Sequence, residues 1–273
     1  MSLNKKVENI IIFFIIFLLL SNKVFSQISI GGIPESFKYD FLSQPIQSIE
    51  LQKPDLTKVF LEDEISDKKG EAYRMGILLE INKGIHNSGT WTILGNGDKI
   101  WRLRIQAKGA LATSLYYDRF YLPKGSKMYI YNDKKEEIKG AFSSINNNPS
   151  GLFATELTSG DAVIIEYYQP NYVKDTVIIN ISDINYAYRG ALTYKYGFGS
   201  SGPCEVNVNC SEGLNWQKEK RGVVRINVRA GGSSKWCTGS LVNNTKQDYK
   251  PYLLTADHCE IGVSASDLAQ WIF

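Results

Sequence analysis

The side chains best suited to proton transfer or thiol chemistry near neutral pH are few in this sequence: His86, His258, Cys204, Cys210, Cys237 and Cys259. An imidazole with an unperturbed pKa of about 6.5 can take a proton and return it at neutral pH, which is what acyl transfer asks of a general base. His86 lies in "NKGIHNSGTW", with no cysteine, carboxylate pair or nucleophile motif beside it, and reads as a solvated loop residue. His258 stands differently. It follows an apolar run and the small residues Thr255 and Ala256, and it immediately precedes Cys259 in "YLLTADHC".

All four cysteines fall between positions 204 and 259, and the first 203 residues contain none. A zinc site needs thiolates and imidazoles at short paired spacings, and Cys204/Cys210 with Cys237/Cys259 fits no common pattern. Disulfides in an oxidising compartment are the expectation, with no metal and no cofactor. The N-terminus agrees. Lys5 and Lys6 precede "NIIIFFIIFLLL", an uncharged run too short for a bilayer span of about 20 residues but suited to a secretory signal. Val24 and Ser26 supply the small residues of a cleavage site before Gln27, so residues 1–26 read as a signal peptide and the chain as secreted, extracellular or periplasmic, without a membrane partner after cleavage.

The elements that must position these residues are β-strands. Composition is ordinary globular, 43% hydrophobic and 22% charged. The net charge of +3 is spread along the chain with no basic stripe, which excludes nucleic acid as an expected partner. Residues 27–75 are polar, interrupted by Pro34, Pro45 and Pro54, and read as an irregular leader. Over 76–172 short alternating runs take over: "WRLRI" with Trp101, Leu103 and Ile105 on one face, "KMYIY", and "AVIIEYY". Between them "GNGD", "LPKGSK", "YNDKKEE" and "SINNNPSG" carry turn chemistry. This pattern predicts an all-β, sandwich-like domain. Residues 173–200 read as a Gly- and Ser-rich linker, and residues 201–273 as a second unit whose strands are "RGVVRINV", "WCTGSLV" and "YLLT".

"CTGSLVNN" followed by "YLLTADHC" resembles the first barrel of the chymotrypsin-fold, trypsin-like serine endopeptidases, and within them most closely the bacterial lysyl endopeptidases. "GSSGPCEVNVNCSEG" is similar to the mature N-terminus of that group, and the resemblance covers residues 197–273. The stretch "GDKIWRLRIQAKGALATSLYYDRFYLPKGSKMYIYN" also resembles the β-rich propeptides of secreted bacterial proteases. The resemblance implies a β-sandwich-like propeptide domain followed by an incomplete chymotrypsin-like first β-barrel. It makes His258 the general base and Cys237–Cys259 the disulfide flanking it. Cys204 and Cys210 are then expected to pair with cysteines later in the chain, a mutual Cys204–Cys210 bond being the alternative.

The implied activity is hydrolysis of peptide bonds after lysine by a His-Asp-Ser triad, with protein or peptide substrates and the chain's own propeptide as partners. Neither the orienting aspartate nor a Gly-Asp-Ser-Gly loop occurs after His258; Asp257 adjoins it and Asp267 comes too early. The sequence is therefore expected to be a fragment, inactive as it stands, with processing after Lys195 or Arg189. The competing expectation is a secreted β-sandwich binding or chaperone-like module with an inactive protease stub, its ligand surface lined by Trp91, Trp101, Tyr116, Tyr117, Tyr129 and Tyr131; an inactive homologue lacking the nucleophile is a third.

Overall fold

Alternating apolar and polar residues bury one face of each strand, and two such faces close on each other. In a computed structural model, which describes residues 28–39, 45–190 and 208–273, that closure forms a sandwich. One sheet contains β1 (Ser48–Leu51), β3 (Thr90–Ile93), β4 (Lys99–Ala107), β6 (Lys127–Asn132), β7 (Ile138–Phe142) and β10 (Ala162–Gln169). Its path is β1-β4-β10-β6-β7, with β1 and β3 sharing one edge of β4. The other contains β2 (Tyr73–Gly84), β5 (Ala112–Tyr121), β8 (Phe153–Ala154), β9 (Thr158–Ser159) and β11 (Ile178–Ala187), joined by β12 (Val223–Ala230), β13 (Ser233–Val242) and β14 (Tyr252–Thr255). Its path is β12-β13-β2-β11-β5-β8. The all-β class read from the sequence is the class of the structure.

The principal core lies between the sheets. Trp101, Leu103 and Ile105 of β4 point inward as the alternation predicts, with Ile130 and Ile165, against Leu115, Tyr117, Ile181 and Tyr186 from the facing sheet. Each fully buried side chain of this size contributes about 1.5–3 kcal/mol relative to exposure. The opposite face of the first sheet is covered by the segment 28–39. There Glu166, fully buried, accepts the backbone N–H of Ser36 at 2.9 Å and the hydroxyl of Tyr131 at 3.0 Å, which satisfies a charge that would otherwise be costly to bury.

Two stretches differ from expectation. The leader is not irregular: it contains β1 and helix α1 (Thr57–Lys68). The helix lacks an apolar stripe, exposing Phe60, Leu61 and Ile65 and burying Asp63, so no 3.6-residue period marks it in the sequence. Residues 178–187, expected within a linker, form the central strand β11, paired on both sides with β2 and β5. The register shifts between Ile181 and Asp183; this bulge breaks the strict alternation that would have revealed the strand.

Of the six aromatic residues considered for a ligand surface, Trp101, Tyr116, Tyr117, Tyr129 and Tyr131 are buried, and only Trp91 is exposed, its ring edge-on to Tyr167. Residues 1–26, read from the sequence as a signal peptide, lie outside the described residues. Among the described residues no helix is long and apolar enough to cross a membrane.

Candidate functional site

The C-terminal strands came from three sequence patterns, and each forms where expected. Ala230 and Ser233 pair across a two-residue turn whose Gly231 has a φ of +54°, a left-handed value that glycine adopts without steric cost. β12 and β13 then run antiparallel from Val223↔Ser240 to Ala230↔Ser233. β14 pairs with the far half of β13, Gly239 opposite Thr255 and Val242 opposite Tyr252. A Cβ on Gly239 would come within 2.9 Å of Leu253 Cδ1 and 3.0 Å of Ile226 Cδ1. The missing side chain is what lets β14 and β12 close on β13 here.

Beyond Thr255 the chain leaves the ladder. Ala256 is extended, and Asp257–Cys259 form one 3₁₀ turn. Thr255 Oγ1 donates to Thr238 O at 2.9 Å, and the N–H of Cys259 donates to Ala256 O at 3.0 Å. Cys259 is bonded to Cys237 of β13, with their Cα atoms 6.2 Å apart. Both sulfurs are buried among Ile226, Val228, Ala230 and Ala72, with Leu253, Val263 and Trp271 packed against them. The bond closes a loop of 22 positions, worth about 3 kcal/mol in the chain-entropy model.

His258 sits on this turn between two anchors, the β14 ladder and the disulfide, and is exposed. An imidazole nitrogen lies within 4.8 Å of both sulfurs. This is the one grouping of histidine, cysteine and carboxylate side chains among the described residues that has metal-ligand spacing. Its sulfurs are consumed in a disulfide and offer no thiolate, so the set does not suit a metal. Among the described residues no hydrogen bond reaches the His258 ring. As a base it is accessible and its backbone is held, but no acid fixes its tautomer.

The nearby aspartates are otherwise occupied or too close in sequence. Asp257 is the exposed first residue of the same turn. Asp267 caps helix α3 (Ala265–Leu268), accepting from Ser264 Oγ at 2.8 Å and from its N–H at 3.1 Å, and it accepts the Gly231 N–H at 3.3 Å. Its other oxygen lies 2.8 Å from Arg229 Nε as a close ion pair without hydrogen-bond alignment. Burial works against its ionisation, but the bonds from Ser264 and Gly231 and the Arg229 charge outweigh it and hold the carboxyl below its usual range. Asp267 thus braces the β12–β13 turn.

Cys204 lies outside the described residues, and so does any bond it makes. Cys210 is exposed and has no disulfide partner among the described residues, preceding the 3₁₀ segment Ser211–Trp216, which helix α2 (Gln217–Lys220) follows. His86 occupies the exposed turn between β2 and β3, as expected of a solvated loop residue. Sequence reasoning missed Arg229, which links Asp183 and Asp267; its partners are 46 positions before it and in α3, and no local pattern signals them.

No solved structure matches the chain. Residues 198–273, which hold β12, β13, β14, the disulfide and His258, match the family described as "Lysyl endopeptidase, C-terminal domain", so this part of the chain is related to the lysyl endopeptidases.

Proposed function

We propose that this chain is the proregion and the first part of the catalytic domain of a secreted serine endopeptidase that cleaves after lysine. The observation that carries the reading is His258: an accessible imidazole on a turn pinned by the Cys237–Cys259 bond, inside the stretch related to lysyl endopeptidases. In this role His258 takes the proton of a serine hydroxyl as it attacks the scissile carbonyl and returns it to the leaving amine. The role also needs a nucleophilic hydroxyl, an orienting aspartate and a lysine-reading pocket, and residues 259–273 contain no Gly-Asp-Ser-Gly loop to supply the first. Without them the imidazole has no acyl chemistry to assist, and residues 1–273 alone are expected to be inactive.

The competing binding-module reading needs an aromatic surface, and five of its six side chains are in the interior, which favours the protease. Of the two processing points, Lys195 lies outside the described residues. Arg189 is engaged by Asp63 and Asp67, which favours Lys195.

The test is to express the complete reading frame through any downstream sequence and assay lysyl, arginyl and leucyl peptide anilides. Preferential hydrolysis of the lysyl substrate, lost on the order of 10⁵-fold in kcat with His258→Ala, is the expected result. Full activity in the His258→Ala protein, or a downstream frame with no nucleophilic serine, would overturn it.

A further inference from the structure

Three side chains that bind soft metal ions meet at one end of the β13–β14 ladder. Cys237 on β13, and His258 with Cys259 on the 3₁₀ turn after β14, bring two sulfurs and an imidazole nitrogen within 4.8 Å of one another. As a disulfide the sulfurs offer no thiolate. Reduction changes their chemistry while the turn keeps tethers of its own on both sides. Before it, Tyr252–Thr255 pair with Gly239–Val242, and Thr255 Oγ1 donates to Thr238 O at 2.9 Å. After it, Trp271 Nε1 donates to Arg229 O at 3.1 Å, and Asn227 and Ile272 exchange backbone hydrogen bonds at 2.8 and 3.1 Å.

The spacing suits one ion. Zinc takes thiolate sulfur at about 2.3 Å and imidazole nitrogen at about 2.0–2.1 Å, so the ligand atoms of a tetrahedral site stand about 3.5–3.8 Å apart. Ligand atoms within 4.8 Å of one another, on cysteines whose Cα atoms are 6.2 Å apart, are close enough to reach that arrangement by side-chain rotation. Thr255 Oγ1 lies 3.4 Å from Cys259 Sγ, where its hydroxyl can turn to a thiolate and orient it from outside the coordination shell.

Charge and burial suit the same ion. Two thiolates cancel the charge of a divalent cation, and the neutral unit can lie against Ile226, Val228, Leu253 and Trp271, where an unbalanced charge would be costly. His258 is exposed, so its side of the site gives the ion a way in and leaves a fourth position to water. Thiolate and imidazole ligands select zinc over magnesium and calcium, which take oxygen.

We propose that Cys237, His258 and Cys259 form a redox-gated zinc site, shut while the cysteines are a disulfide and able to bind zinc once a dithiol has reduced them. The dithiol gives two electrons and two protons to the bond, becoming a disulfide itself and leaving two cysteine thiols. Zinc then displaces both thiol protons to solvent and takes the free electron pair of an imidazole nitrogen. The protease reading needs both nitrogens of His258, so on that reading the zinc-bound chain is held inactive; the binding itself does not rest on it and is tested without peptidase activity. The chain is expressed from Gln27 onward with Cys204→Ser and Cys210→Ser, which leaves Cys237 and Cys259 as its cysteines. It is reduced with dithiothreitol, freed of it under argon, and titrated with cobalt(II) as a spectroscopic stand-in for zinc. The visible and thiolate charge-transfer bands of a tetrahedral site are expected in the reduced chain, bleached by added zinc and missing from the disulfide form. His258→Ala is expected to raise the cobalt dissociation constant roughly 100-fold, since altering an outer-shell partner alone costs about 10–100-fold. Circular dichroism of the reduced chain, matching that of the disulfide form, shows that the strands persist. Loss of that signal on reduction, a folded reduced chain without the cobalt bands, or undiminished affinity in His258→Ala would overturn the proposal.

Discussion

Arg189 and Asp67 are joined by two hydrogen bonds, Nη1 to Oδ2 at 2.6 Å and Nη2 to Oδ1 at 3.1 Å, so the last charged side chain before residue 191 is clamped to helix α1. The Arg189 guanidinium also stacks 4.1 Å from the centre of the Tyr73 ring. A protease pocket reading a basic side chain needs that side chain free. Processing of the protein is therefore expected away from the Arg189–Gly190 bond. N-terminal sequencing of the processed form checks this, and a start at Gly190 would contradict it.

Asp63 collects three partners although only 3% of its side chain is exposed: Arg74 Nε at 2.6 Å, Tyr188 Oη at 2.6 Å and Arg189 Nε at 3.1 Å. This ties α1 to β2 and to the segment after β11. Asp63→Asn keeps the shape and the oxygen that accepts from Arg74 Nε, but it removes the charge and turns an amide NH₂ toward the Tyr188 hydroxyl and Arg189, whose ion pair is lost. The expected cost is about 2–4 kcal/mol, read from urea unfolding. A change below about 0.5 kcal/mol, the scale of ordinary surface substitutions, would show that the helix is docked by other means.

The Cys237–Cys259 bond holds the turn bearing His258 against β13. Replacing both cysteines by serine is expected to lower the stability of the C-terminal part by about 3 kcal/mol. Hydrogen exchange at Thr255 to Glu260 should rise more than exchange in β4 or β10. Equal protection with and without the bond would mean that the ladder alone holds the turn.

Gly239→Ala places a methyl group against Leu253 and Ile226. Overpacking of this kind costs about 1–3 kcal/mol. Thermal unfolding of the C-terminal part, followed through Trp236 and Trp271 fluorescence, is the measurement. An unchanged midpoint would mean that both side chains move aside freely.

Asp267 has a folded-state pKa below its unfolded value, so its contribution to stability is fully present above the unfolded value of about 3.9 and is lost as pH falls through the lower folded one. Urea midpoints measured between about pH 5 and pH 2 should fall on acidification, and more steeply in the parent than in Asp267→Asn. Parallel pH profiles would remove Asp267 as a source of acid sensitivity.

Much of the strand content was legible because its causes are local. Alternation in "WRLRI" put Trp101, Leu103 and Ile105 in the core, and "YLLT" is β14 residue for residue. His258 was singled out by its neighbours Thr255, Ala256 and Cys259, and the disulfide by the resemblance together with the expectation that "CTGSLV" and "YLLT" are neighbouring strands. Helix α1 escaped notice because it buries an aspartate in place of an apolar stripe, and β11 because a bulge interrupts its alternation. The sequence by itself determined the β class and the C-terminal strands, and it singled out His258 as the candidate base. Tertiary structure alone decided that β13 divides one edge between β2 and β14, that Arg229 spans from Asp183 to Asp267, and that Arg189 is held by α1. Backbone ladders carry no sequence signature of their partner, and charged side chains meet across many tens of residues only once the chain has folded.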